Sequence, residues 1–215
     1  MVYVFDPQSG EWIAKTLLPD DPMPGTKFGL LTVRAFQGRS ASDILWTDIR
    51  ALRALEQLLA IIEPLTVRYA FRRLKEGGHE GESAHYAGLA FDIGYKLDTP
   101  TQMRLTRLAL SRCGFDRVEP PFSTPGWLHV EKSIAPAVGL HGCYPRLKLG
   151  MRGVHVFVLQ DALLLYSLTE GGLTGCFSPA TAADVRRFQA SHKLKVTGEA
   201  DAETWRALMQ KIPRR

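Results

Sequence analysis

The 215-residue sequence predicts an α+β domain followed by a three-helix-bundle domain, on three observations. Up to about Ser133, a helical periodicity gives way to short alternating segments, then to a second helical stretch, then to a last alternating segment. From Ala135 to Arg146 the chain carries Pro136, Gly139, Gly142 and Pro145 with no periodicity, which reads as a linker. Beyond it, three helical segments follow, the second and third each after a capping residue. The expected limits are 1–134 for the first domain, 135–146 for the linker and 147–211 for the bundle. The first domain should hold a small antiparallel sheet with flanking helices.

Ser42 to Ile62 places Ile44, Leu45, Ile49, Leu52, Leu55, Leu58, Leu59 and Ile62 at helical spacing, with Ser42 or Asp43 as N-cap and a stop before Pro64. Leu65 to Ala70 and Leu89 to Tyr95 alternate and are rich in strand formers; in the second, Leu89, Phe91 and Ile93 face one way and Ala90 and Asp92 the other. Thr99, Pro100 and Gln102 form a capping-box start for a helix running to about Cys113 and ending at Gly114. Trp127 to Glu131 is a further strand. The bundle helices are Val154–Leu165, Pro179–Ala190 capped by Ser178, and Ala202–Met209 capped by Asp201. Thr174-Gly175 precedes Thr181 by the same interval at which Thr197-Gly198 precedes Thr204, a short internal repeat of turn, cap and helix.

Hydrophobic residues at 45% and charged residues at 23% suit a chain that buries a core rather than one that stays disordered. The net charge of +5 favours an anionic partner such as nucleic acid, a membrane surface or a teichoic-acid-bearing wall. No block of Lys and Arg with interleaved aromatics appears, which argues against nucleic acid. Asp6, Glu11, Asp20 and Asp21 interrupt the first thirty residues, so no secretory signal is expected, and no run approaches the roughly 18 apolar residues of a membrane span. The expectation is a monomer made in the cytoplasm. Cys113, Cys143 and Cys176 lack a C-x-x-C pair and read as buried free thiols.

The chemistry concentrates in Ser83-Ala-His85-Tyr-Ala-Gly88-Leu-Ala90-Phe-Asp92 and the later Trp127-Leu128-His129. Two imidazoles and one carboxylate are a donor set suited to Zn²⁺, with a fourth tetrahedral position left open, as hydrolysis requires. Asp92 and His129 can project from neighbouring strands toward one point, while Gly88 and Ala90 are small enough to allow close approach.

These residues resemble the S-x-H-x-x-G-x-A-x-D motif, with a later W-x-H, of the zinc D-alanyl-D-alanine carboxypeptidases and related L-alanyl-D-glutamate endopeptidases, the VanY-like metallopeptidases. Ser83, His85, Gly88, Ala90 and Asp92 fill every defined position of the first motif. Over roughly Leu65 to Glu131 the resemblance implies that His85, Asp92 and His129 bind zinc. It also implies that Arg72, in Tyr69-Ala70-Phe71-Arg72, binds a substrate oxygen, with Arg73 as the nearby alternative. An arginine suits that task through its fixed charge and fork of donors. Ser83 is expected to order the loop that presents His85 and to border the substrate. Many members carry the catalytic glutamate three residues before the last histidine, where this chain has Gly126. Glu131, two residues beyond His129 and so on the same strand face, is the candidate general base; Glu82, His79 and Glu119 lie in loops that can also enter the site.

Tyr144 to Met209 resembles the type 1 peptidoglycan-binding module through Leu147-Lys-Leu-Gly150-Met-Arg-Gly153, Leu159-Gln160, Phe188-Gln189, Val196-Thr197-Gly198 and Thr204-Trp205. The two resemblances together imply a zinc metallopeptidase acting on cell-wall peptidoglycan, held there by its C-terminal module, in the manner of a phage-type endolysin released at lysis. Two further readings fit the same residues: a non-catalytic wall-binding protein with a structural or vestigial zinc site, and a zinc peptidase with a substrate other than the wall.

Overall fold

The computed structural model describes residues 1–62, 66–79, 81–133 and 144–213. The expected linker falls outside the described residues as far as 143, as do Leu65 and Cys143. The chain divides into two compact units, one of Met1–Arg72 with Gly88–Ile134 and one of Arg73–Ala87 with Ala135–Arg215. The architecture is α+β, as the periodicities predict.

The first unit opens with elements that the sequence reading leaves unassigned: strands β1 (Val2–Asp6) and β2 (Glu11–Lys15), and a short helix α1 (Val33–Gln37) capped by Thr32. Strand β3 (Leu45–Asp48) then pairs in parallel with β1, while β2 pairs with β1 antiparallel. This small sheet is therefore mixed. The helix expected from Ser42 begins later, as α2 (Ile49–Ile61), with Asp48 as its N-cap accepting from Arg50 N at 2.9 Å. The physical reason is that Leu45 and Trp46 are fully buried in a strand paired with Val2 and Tyr3, and tertiary pairing overrides helical spacing there.

The second sheet is antiparallel, in the order β4 (Val67–Tyr69), β5 (Ala90–Ile93), β7 (Leu128–Glu131), β6 (Arg117–Val118). Between β5 and β6 lies α3 (Thr99–Ser111), whose N-cap is Asp98, accepting from Thr101 N at 2.7 Å, rather than the expected Thr99. Phe91, on the face of β5 away from Asp92, joins Phe36, Phe71 and Trp46 in the core; the Trp46 and Phe71 rings meet edge to face at 4.8 Å. Burying aromatic side chains of this size contributes about 1.5–3 kcal/mol each.

The second unit holds α4 (Val154–Leu165), α5 (Pro179–Ser191) and α6 (Ala202–Met209), with caps at Ser178 and Asp201 as the sequence predicts. Phe157, Phe177, Phe188 and Trp205 form its core. It also contains two short 3-10 turns, Leu74–Glu76 and Ala84–Ala87. Asp161 of α4 pairs with Arg73 Nη2 at 2.6 Å and accepts from Leu74 N at 2.9 Å, and Tyr144 Oη donates to Ser83 O at 2.6 Å. Cys113 is buried, but Cys176 is only half-buried, and its Sγ accepts from Arg152 Nε.

The internal repeat has a physical basis in two buried glutamines. Gln160 Oε1 accepts from Thr174 N and Gly175 N, and its Nε2 donates to Thr181 Oγ1. Gln189 does the same with Thr197 N, Gly198 N and Thr204 Oγ1. Each glutamine ties a turn to the first turn of the next helix. Gln189→Ala leaves two backbone N–H groups without their acceptor, so a loss of about 2–4 kcal/mol in unfolding free energy is expected in urea titrations. A loss below about 0.5 kcal/mol would show that solvent replaces the amide.

Candidate metal centre

His85, Asp92 and His129 are all buried, and one ligand atom from each lies within 4.8 Å of the other two. Three elements bring them there. His85 sits in the Ala84–Ala87 turn, where its N–H donates to Ser83 Oγ at 3.3 Å. Asp92 and His129 are directly opposed in the β5–β7 ladder, and His129 Nδ1 stands 2.8 Å from Asp92 Oδ1. Gly88 carries φ +66°, and a Cβ there would collide with the Trp46 carbonyl, so the motif glycine is a packing requirement.

Two imidazoles and a carboxylate fit a divalent ion such as zinc in donor type and number, with a position left for a further ligand. The site can hold a metal ion. His129 also places Nε2 2.9 Å from Glu131 Oε1. Burial opposes a charge on this ring, but hydrogen bonds to Asp92 and Glu131 outweigh it and raise its pKa to about 9. A metal ion and the Nδ1 proton therefore compete for one lone pair. Burial pushes the Glu131 carboxyl upward, yet His129 and Arg117 together bring it below its ordinary value. Arg117 Nη1 lies 3.3 and 3.4 Å from the two Glu131 oxygens.

The two arginine candidates separate clearly. Arg73 is committed to Asp161. Arg72 is 6% exposed, and among the described residues no carboxylate forms an ion pair with it. Its guanidinium lies 5.2 Å from the centre of the Tyr69 ring, which Arg39 also approaches at 5.5 Å while donating to Tyr69 Oη at 3.0 Å. Tyr69 is the β4 partner of Asp92, so Tyr69, Asp92 and His129 follow one another across the sheet.

Of the loop residues, His79 stacks on His85 with ring centres 4.4 Å apart, Glu82 accepts from Tyr144 N, and Glu119 pairs with Arg117 at 3.5 Å. Gly126 has φ +83° and its carbonyl accepts from Leu97 N at 2.9 Å; a glutamate there would be strained. Sequence reasoning missed Tyr69 as the ring against Arg72 and Arg39 as the second cation on that ring. The strand register would have found Tyr69, but nothing local marks Arg39.

Residues 152–208 match the family model described as a peptidoglycan binding domain. No curated protein matches the chain. The matched stretch, 152–208, takes in most of the three helices of the second unit, so the similarity to a peptidoglycan-binding domain belongs to that part of the chain. No helix among the described residues is long and apolar enough to cross a membrane.

Proposed function

We propose that the protein is a zinc-dependent peptidase that cuts peptide bonds in peptidoglycan stem peptides, as a D,D-carboxypeptidase or an L,D-endopeptidase at the bacterial wall. The observation that carries this reading is the convergence of His85, Asp92 and His129 in a chain that also bears a peptidoglycan-binding domain. These three residues would hold the ion. Zinc bound there supplies a Lewis acid for the scissile carbonyl and lowers the pKa of water to about 7.

Arg72 is the group that meets the substrate oxygen. A buried guanidinium without a carboxylate partner is costly, and an anionic or oxyanionic oxygen satisfies it. Ser83 holds the His85 turn. The C-terminal domain raises the local concentration of the enzyme on an insoluble substrate, which is effective molarity rather than catalysis. Arg72→Met is expected to lower kcat/KM by about 10²–10³-fold. Its unfolding free energy should fall by no more than about 1 kcal/mol, the order of a cation–π contact. A larger stability loss with activity retained would make Arg72 a structural residue.

The test is digestion of purified peptidoglycan by the zinc-loaded protein, with mass spectrometry of the products. Free D-alanine identifies a carboxypeptidase and new amino termini within the stem identify an endopeptidase. The absence of any cleavage in several wall chemotypes, with zinc bound at one equivalent, removes the catalytic reading. The second reading, a wall-binding protein whose metal site does not turn over, is favoured by the glycine turn at Gly126 and predicts that last outcome.

A further inference from the structure

We propose that Glu131 is a positioning residue: it fixes the His129 ring through Nε2 and so reserves Nδ1 for the metal ion. The inference rests on the reading of His85, Asp92 and His129 as a metal centre. It differs from the role of general base that the sequence suggests for Glu131.

An imidazole can offer either nitrogen to a metal, and the choice is set by the hydrogen bond that the other nitrogen makes. Here both nitrogens are accounted for by the β7 register. His129 stands opposite Asp92, which puts Nδ1 2.8 Å from Asp92 Oδ1. Glu131 lies two residues further along the same strand face, and its Oε1 is 2.9 Å from Nε2. Glu131 is itself steadied from the other side, because Arg117 is its cross-strand partner in β6 and reaches both carboxylate oxygens. The order is Arg117, Glu131, His129, Asp92, each held by the next.

Rotating the ring by half a turn about Cβ–Cγ would put ring carbons where the two nitrogens now stand and break both contacts, so the carboxylates select one orientation. The two ring nitrogens point away from each other. A carboxylate bonded at Nε2 is therefore on the far side of the ring from Nδ1 and from Asp92. That placement suits holding the ring and does not suit taking a proton at the metal. Trp127, whose ring meets His129 edge-on at 6.5 Å, limits the remaining freedom of the imidazole.

Zinc affinity of the full chain, measured by competition with a chelator, separates the two roles. Glu131→Ala is expected to weaken zinc binding 10–100-fold, the range for loss of a second carboxylate behind a histidine ligand. Glu131→Gln, which keeps an oxygen acceptor for Nε2–H, should lose less than Glu131→Ala, and Arg117→Ala only a few-fold. In each variant peptidase activity should follow zinc occupancy. Unchanged zinc affinity in Glu131→Ala overturns the proposal, and unchanged affinity with activity lost at full occupancy makes Glu131 a general base instead. A wild-type protein that binds no zinc overturns the underlying reading of the site, which is a distinguishable result. Long-range ¹H–¹⁵N NMR of the zinc-loaded wild type needs no variant to fold: it should show a proton on His129 Nε2, and a proton on Nδ1 would overturn the assignment.

Discussion

Asp92→Ala is expected to weaken zinc binding by well over a hundredfold and to bring any peptidase activity to background. Asp92 is the only carboxylate of the three candidate ligand residues and is 7% exposed. Removing it takes away the one anionic donor and also the partner of His129 Nδ1. Loss of an outer hydrogen-bond partner alone reaches 10–100-fold in metal affinity, so loss of a ligand should exceed it. Metal analysis after gel filtration in dilute zinc should give one equivalent for the wild type and close to none for the variant. Far-ultraviolet circular dichroism should be unchanged, since Asp92 lies on the face of β5 away from Phe91 and the aromatic core. Retention of a full equivalent of zinc by the variant would place the metal elsewhere.

The largest stability effect is expected at Asp161. Its carboxylate is 2% exposed and pairs with the 6%-exposed side chain of Arg73, while its second oxygen accepts from Leu74 N. Asp161→Ala leaves a buried guanidinium without this carboxylate and a backbone N–H without its acceptor. Breaking a buried pair in this one-sided way costs about 3–5 kcal/mol. Replacing both partners, as in Arg73→Met with Asp161→Leu, should recover much of the loss, because the uncompensated charge is then gone. The same pair anchors the start of the Arg73–Ala87 stretch that carries His85, so zinc affinity should fall along with stability in Asp161→Ala. Urea unfolding of the three proteins measures the first effect; a destabilisation below about 1 kcal/mol in the single variant would mean that solvent reaches Arg73.

What could be read directly from the sequence was local. The second and third bundle helices start at their caps, where Ser178 and Asp201 accept the N–H groups that their positions imply, and the turn repeat corresponds to the Gln160 and Gln189 locks. The α+β class followed from periods of 3.6 and 2 in the first domain. The convergence of His85, Asp92 and His129 was legible because the motif spacing places Asp92 on a strand and His85 in the preceding turn.

What escaped was long-range. The parallel pairing of Leu45–Asp48 with Val2–Phe5 joins segments forty residues apart, and no local pattern distinguishes Leu45 and Trp46 in a strand from the first turn of a helix. The same applies to Glu56, whose place in the helical pattern reads as exposed. It is 2% exposed because it accepts from Lys27 N, Phe28 N and Gly29 N and so fixes a distant loop. The choice between Arg72 and Arg73 depended on a partner in α4, nearly ninety residues on.

The most direct test of the metal centre is anomalous diffraction at the zinc edge from crystals of the zinc-loaded protein. The account predicts one strong peak within about 2.0–2.2 Å of His129 Nδ1, an Asp92 oxygen and a His85 ring nitrogen, with Glu131 still bonded to His129 Nε2. A peak at other residues, or none in crystals shown by metal analysis to contain one equivalent of zinc, would contradict it.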